Sequence, residues 1–256
     1  MTKDKKNTKK ENITFKEWLK ENAKALFWAI LIAFSVRSCA LEPFNIPSGS
    51  MIPTLLVGDY LFVNKNSYGY SKYSFPFGLA PISDRVFYSE PKRGDIVVFR
   101  LPTNTSIDYI KRVIGLPGDK IQVKGGILHI NDKPVQRTFK KIVMEDRYGQ
   151  KIEHRLYDET LPNGVVHEIL EASDFEPQDN TIEFIVPKDH FFMMGDNRDN
   201  SKDSRWLDEV GYVPKTHLIG KASFMFYSNN GYAPFIAFWS WPKSIRWNRL
   251  FKGIGP

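Results

Sequence analysis

The chain has 256 residues, 42% of them hydrophobic and 14% aromatic, which excludes a disordered chain and allows a sizeable core. Its net charge of +7 sits at the two ends: eight lysines against Asp4, Glu11, Glu17 and Glu21 give residues 1–24 a net +4, and Lys243, Arg246, Arg249 and Lys252 give residues 240–256 another +4, so the middle carries −1. Basic ends on a near-neutral body suit a membrane surface, and without a helix-turn-helix, zinc-finger or RNP-like pattern they argue against a nucleic-acid partner.

The first expected element is an apolar helix. Ala23–Val36 reads AKALFWAILIAFSV, with an uninterrupted apolar core of only 12 residues from Ala25. A spanning helix needs about 20. Extension through Leu41 reaches a plausible length if Arg37 snorkels to the interface. A cleaved leader is the other reading, with Ser38-Cys39-Ala40 as its small-residue site. Retention is the expectation, giving a basic cytoplasmic tail over 1–24 and a single transmembrane anchor over 25–41. Lysines before the span keep the N-terminus in the cytoplasm, so everything after Leu41 crosses.

Next comes NIPSGSMIPTLLVGDY, residues 45–60. Pro, Ser and Gly make turns, and on these residues alone Ser48 and Ser50 are either turn residues or chemical groups. Beyond it, DYLFVNK, DIVVFR, SIDYIKRVIG, KIQVK, ILHIN, IEFIV and ASFMFYS are short, β-branched or aromatic, and broken by Gly, Pro and Asn. They predict a mainly β domain of coiled, barrel-like antiparallel sheets over 42–125 and 189–238. Residues 126–188 are more polar and read as an inserted second lobe.

Within SIDYIKRVIG, alternation puts Ile107, Tyr109, Lys111 and Val113 on one strand face and Asp108, Ile110, Arg112 and Ile114 on the other. Lys111 thus lies between large apolar neighbours. It is either an edge-strand lysine that blocks aggregation or a desolvated amine with a lowered pKa. GDNRDNSKDSR, Gly195–Arg205, fails the EF-hand pattern. Counting from Asp199, Ser204 falls where glycine is required and Val210 where the final glutamate belongs. One cysteine, Cys39, and five scattered histidines give no transition-metal spacing, so no metal and no cofactor are expected. In the tail over 239–256, Trp247, Leu250, Phe251 and Ile254 fall on one helical arc opposite Arg246, Arg249 and Lys252, the pattern of an interfacial helix.

Taken together, PSGSMIPTL, RGDIVVF, DYIKRVIGLPGD and GDNRDNSKDSR resemble the boxes of the type I signal peptidases, membrane-bound Ser/Lys proteases, in the family's order. The resemblance implies the coiled β fold shared with LexA-like proteins. It makes Ser50 the nucleophile, Lys111 its general base, and the Ser50 N–H and Ser48 hydroxyl the oxyanion hole. Gly49 would let the chain turn tightly between them. Ser201 would hold the lysine amine, Asp203 and Arg205 would pair behind it, and Gly195 would give close backbone approach. Substrate would lie along Asp108–Ile110, with Phe44, Ile46, Met51, Leu55, Val98, Tyr109 and Ile110 lining shallow pockets for small residues; Leu61 is a mild departure. Partners would be signal-peptide-bearing secretory precursors and the phospholipid bilayer, in a bacterial inner membrane with the catalytic domain on the outer side. The family's usual two spans do not carry over to the residues before Ala25.

Three other readings compete. A LexA-type self-cleaving protein needs a DNA-binding head, which residues 1–44 do not offer. A penicillin-binding or β-lactamase enzyme would use Ser89–Lys92 or Ser240–Lys243, but both carry proline before the lysine, and neither S-D-N nor K-T-G occurs. A non-enzymatic tethered β module is opposed only by Ser50, Lys111 and Ser201.

Overall fold

The computed structural model describes residues 14–75, 81–147, 150–231, 239 and 241–255. The basic tail up to residue 13 and residues 76–80 and 232–238 of the expected β domain lie outside them.

Helix α1, Phe15–Cys39, begins ten residues before the anchor expected over 25–41 and ends two residues short of its end. Its first turns carry Lys16, Lys20, Glu21 and Lys24, and among the described residues no helix is long and apolar enough to cross a membrane. The chain then passes directly into β1, Leu41–Asn45.

The main sheet has seven strands. It uses β1, β2 (Asp59–Asn64), β3 (Ile96–Leu101), β4 (Asn104–Gly115), β12 (His190–Met194), β13 (Val213–Pro214) and β14 (Leu218–Ser228). Their spatial order is β1-β2-β14-β3-β4-β12-β13, with every pairing antiparallel. Register shifts in four of these pairings bend the sheet, as bulges do. The sheet is buried on both sides: Ile46, Leu61, Val63, Val98 and Met225 pack in one cluster, and Val97, Phe99, Val113, Phe191 and Met193 in another. Two-sided burial explains why β3 reads as a continuous apolar run.

The inserted lobe starts earlier than residue 126. Strand β5, Lys120–Lys124, pairs with β6 (Ile127–Ile130) and β11 (Phe184–Ile185), and β7 (Lys133–Pro134) completes a four-stranded sheet. A three-stranded sheet of β8 (Gln136–Arg147), β9 (Gln150–Thr160) and β10 (Val166–Glu171) follows. The lobe is not a separate core. Ile121, Leu128, Leu161 and Phe184 pack with Ile114, Phe192 and Met194 of the main sheet.

The C-terminal tail is not a continuous amphipathic helix. It forms one helical turn, α2 (Trp241–Ser244), and a 3-10 turn over Trp247–Arg249. The competing force is a buried carboxylate. Asp59 is fully buried and accepts Arg249 Nε at 3.1 Å, while Arg246 Nη1 donates to Val57 O at 3.0 Å. Ile254 is buried with the first cluster, whereas Trp247 and Phe251 stay 60% and 77% exposed.

Candidate active site

Two elements 61 residues apart in the chain meet at one point. The first is a 3-10 turn over Gly49–Met51 that follows β1. Met51 and Leu55 are fully buried beneath it and pin it to the core. The second is the middle of β4. Lys111 Nζ lies 2.6 Å from Ser50 Oγ and donates a second hydrogen bond to Ile110 O at 3.1 Å. The amine is only 4% exposed. Burial is the main cause that pushes its pKa down to about 8; Asp203 and Asp196 pull it back up, and Arg205 lowers it further. Ser48 Oγ lies 3.4 Å from Ser50 Oγ on the solvent side of the turn.

The loop after β12 closes the back of this pair. Its Asn197 donates from its backbone N–H to Ser50 O at 3.1 Å and from Nδ2 to Gly49 O at 3.1 Å. Gly195 passes so close that an added Cβ would stand 2.2 Å from Ser201 Oγ and 2.5 Å from Ser50 O. The Gly195 N–H donates to Asp203 Oδ2 at 3.0 Å, and Arg205 grips the same carboxylate through Nε and Nη2, both at 2.9 Å. Burial raises the Asp203 pKa, but Arg205 outweighs it and the net shift is downward. Asp203 is therefore a fixed anion.

A cleft of about 550 Å³ opens from the serine along β1, β3 and β4. Phe44, Ile46, Val98 and Ile107 line it with Asp108, Tyr109 and Ile110. Strand β3 covers one edge of β4 at Tyr109 and Ile110. Strand β12 covers the other edge only at Arg112, Val113 and Gly115, so that edge of Asp108–Ile110 is free among the described residues.

A buried base hydrogen-bonded to a serine at the head of an apolar, edge-open groove is the equipment of a serine hydrolase acting on extended peptide. Residues 18–227 match the family described as signal peptidase, peptidase S26. The chain belongs to the signal peptidase family. Signal peptidase I of Rickettsia typhi is 39% identical over 268 residues, covering 96% of this chain and 97% of that protein. Signal peptidase I of Rickettsia prowazekii gives the same figures. A solved signal peptidase I from Enterococcus faecalis V583 is 25% identical, with a TM-score of 0.30, over 52% of this chain and 97% of that one.

Of the residues singled out in this signal peptidase-family sequence, Ser48, Ser50, Lys111, Phe44, Ile46, Val98, Asp108, Tyr109 and Ile110 all border the cleft. Met51 and Leu55 do not. Both are fully buried in the core, Met51 at the end of the 3-10 turn and Leu55 in the segment that follows it. Ser201 is buried, and its Oγ makes no hydrogen bond to Lys111. Gly49 takes no left-handed backbone conformation. An added Cβ there would stand 3.0 Å from Ile52 Cδ1, the movable end of a half-buried side chain.

Sequence reasoning missed a chain of buried charges behind the site. Arg112 binds Asp196 through Nε at 2.8 Å and Nη2 at 2.7 Å, Thr54 Oγ1 donates to Asp196 at 2.5 Å, and Arg112 Nη1 donates to Gly94 O at 2.7 Å. Arg198 Nη1 donates to Glu159 of the inserted lobe at 3.0 Å, and His167 stands between Glu159 and Asp196 at 3.4 and 3.9 Å. Burial and Arg112 push the His167 pKa down to about 4, so the ring is neutral. Arg112 carried the same signal as Lys111, a cation between apolar Ile110 and Ile114 on its strand face. The partners Glu159 and His167, over 40 and 50 residues further on, carried none.

Proposed function

We propose that this chain is a serine endopeptidase that removes N-terminal signal peptides from exported precursors, with Ser50 as nucleophile and Lys111 as general base. The observation that carries the reading is the 2.6 Å contact between Ser50 Oγ and an amine only 4% exposed. A lysine acts as a base only when neutral, and burial makes the neutral form accessible near pH 8.

In the first step Lys111 Nζ takes the Ser50 proton as Oγ attacks the scissile carbonyl. The Ser48 hydroxyl and the Ser50 N–H stabilise the developing oxyanion. The Lys111 ammonium then passes its proton to the leaving amine, which departs as the mature N-terminus. Water, deprotonated by the again neutral Lys111, releases the signal peptide from Ser50. Asp203, fixed by Arg205, supports the ammonium that forms between these steps. Ser201 and Gly195 set the spacing between the loop and the nucleophile turn.

Substrate pairs with the free edge of Asp108–Ile110, which delivers its scissile bond to Ser50. Phe44, Ile46, Val98, Tyr109 and Ile110 form the walls that admit only small side chains next to that bond. Met51 and Leu55 act from below by holding the turn.

The cleft begins where a membrane would end. Phe44 follows Cys39, the last residue of α1, by five residues, and at about 3.4 Å per residue no more than about 17 Å of chain separates them. We read residues 25–41 as a single anchor in a bacterial inner membrane, with the basic N-terminus in the cytoplasm and the catalytic domain outside. The exposed Trp247 and Phe251 rest at the lipid surface. The test is incubation of the purified protein with a secretory precursor. Cleavage after a small residue by the wild type, and none by a folded Ser50→Ala form, is the expected result; equal cleavage by both overturns the assignment.

A further inference from the structure

Three carboxylates converge outside the catalytic pair, where the inserted lobe meets the loop after β12. One oxygen from each of Glu171, Asp179 and Asp199 lies within 4.8 Å of the other two. Glu171 ends β10, Asp179 lies in the irregular segment before β11, and Asp199 lies in the loop that also carries Ser201. Glu171 and Asp179 are each 1% exposed.

Local hydrogen bonds hold these groups in place without satisfying them. Asp199 Oδ2 accepts the N–H groups of Ala172 and Ser173 at 2.6 and 3.1 Å, and Asp179 Oδ2 accepts that of Glu176 at 2.6 Å. Arg137 Nη1 stands 3.8 Å from Glu171 Oε1 but is shared with Asp174. Glu171 Oε2 and Asp199 Oδ1 are buried with no hydrogen-bond partner. Arg198 pairs with Glu159 through Nη1 and Nη2, leaving its Nε without a hydrogen-bond partner, and Arg205 pairs with Asp203. Unpaired carboxylate oxygens this deep are costly unless a cation or a proton takes them.

The chemistry of the donors selects the cation. All are carboxylate oxygens, with no histidine or cysteine among them, which suits a hard ion. Calcium–oxygen distances of about 2.3–2.6 Å allow two ligands of one ion to lie up to about 4.6–5.2 Å apart, which the observed limit meets. Magnesium demands a regular octahedron and retains several waters, which a buried site on irregular chain provides less well than calcium requires. We propose that Glu171, Asp179 and Asp199 bind one calcium ion, which fastens the inserted lobe to the loop behind the catalytic serine. This replaces the sequence expectation of no metal. The EF-hand pattern failed because the ligands come from three separate segments. The inference does not depend on the peptidase reading, since binding is measured without substrate.

The test uses the full-length protein in detergent, stripped with a chelator and titrated calorimetrically with calcium chloride. One ion per chain is expected, with Kd in the range of about 10⁻⁴–10⁻³ M seen for extracellular calcium modules. Millimolar calcium should raise Tm and slow proteolysis between β10 and β11; equal magnesium should do less. Asp179→Asn should weaken calcium binding about tenfold or more. In chelator its Tm should equal or exceed that of wild type, because one of three like charges is gone, and in calcium the order should reverse. Glu171→Gln provides the same comparison if Asp179→Asn does not fold. Absence of calorimetric binding, a wild-type Tm indifferent to calcium, or unchanged affinity in the variants overturns the proposal.

Discussion

Replacing Lys111 by methionine should abolish activity and, near neutral pH, make the protein more stable. The lysine is 4% exposed and its pKa falls from 10.5 to about 8, chiefly through burial. A group whose folded pKa lies below its unfolded value binds more protons when unfolded, so wild-type stability rises with pH between about 8 and 10.5. At about 1.36 kcal/mol per unit, the buried ammonium costs about 3 kcal/mol at pH 7 and about 1 kcal/mol at pH 10. Methionine removes that cost but loses the bonds to Ser50 Oγ and Ile110 O, about 1 kcal/mol each. Lys111→Met should therefore be about 1 kcal/mol more stable than wild type at pH 7 and about 1 kcal/mol less stable at pH 10. Urea denaturation of both proteins at the two pH values measures the crossing. The same titration governs rate: wild-type kcat/KM should rise about tenfold from pH 7 to 9 and then level off. A stability difference independent of pH, or a rate still climbing tenfold per unit at pH 10, would refute a depressed lysine.

Lys111→Arg should be inactive over the whole pH range, because a guanidinium does not lose its proton there; precursor cleavage by the folded variant checks this. Ser201→Ala should cost less activity than Lys111→Ala, since the Ser201 hydroxyl makes no hydrogen bond to the base; precursor cleavage by the two folded variants checks this. Gly195→Ala should lose both activity and Tm, because its Cβ would collide with Ser201 Oγ and the Ser50 carbonyl. Glu159→Gln should destabilise by about 3–5 kcal/mol in urea, since it leaves Arg198 buried and unpaired. Quenching of tryptophan emission by brominated lipid should lose a component in Trp247→Phe if the tail rests on the bilayer.

Local chemistry was legible in the sequence, and assembly was not. The alternation of SIDYIKRVIG put Lys111 among apolar side chains before any partner was known, which left an exposed edge lysine and a desolvated amine as the two readings that the buried position then decides. The strands were equally visible, because β-branched runs between Gly, Pro and Asn have few other ways to fold. What the sequence could not show depends on which distant residue fills a given space. Met51 and Leu55 looked like pocket walls, but the 3-10 turn and the segment after it bury them in the core. The tail had a helical pattern, but Asp59, nearly 200 residues earlier, captures Arg249 and breaks it.

The inserted lobe illustrates the same point for catalysis. Its polar sequence read only as an inserted second lobe. Yet Glu159 and His167 are buried against the loop that follows β12, and the Leu170 N–H donates to Asp196 O at 2.8 Å. That loop holds the nucleophile turn through Asn197 and approaches it through Gly195. A base about 2.6 Å from its serine tolerates little displacement, since proton transfer depends steeply on donor–acceptor distance. The loop is irregular and has no ladder of its own to keep it rigid, so its position has to come from partners on both sides. Arg112 supplies one side through Asp196, and the inserted lobe supplies the other through Glu159 and Arg198. The buried charges behind the site thus have a physical reason to exist despite their desolvation cost: apolar packing would fill the space equally well, but it would not fix the loop in one register.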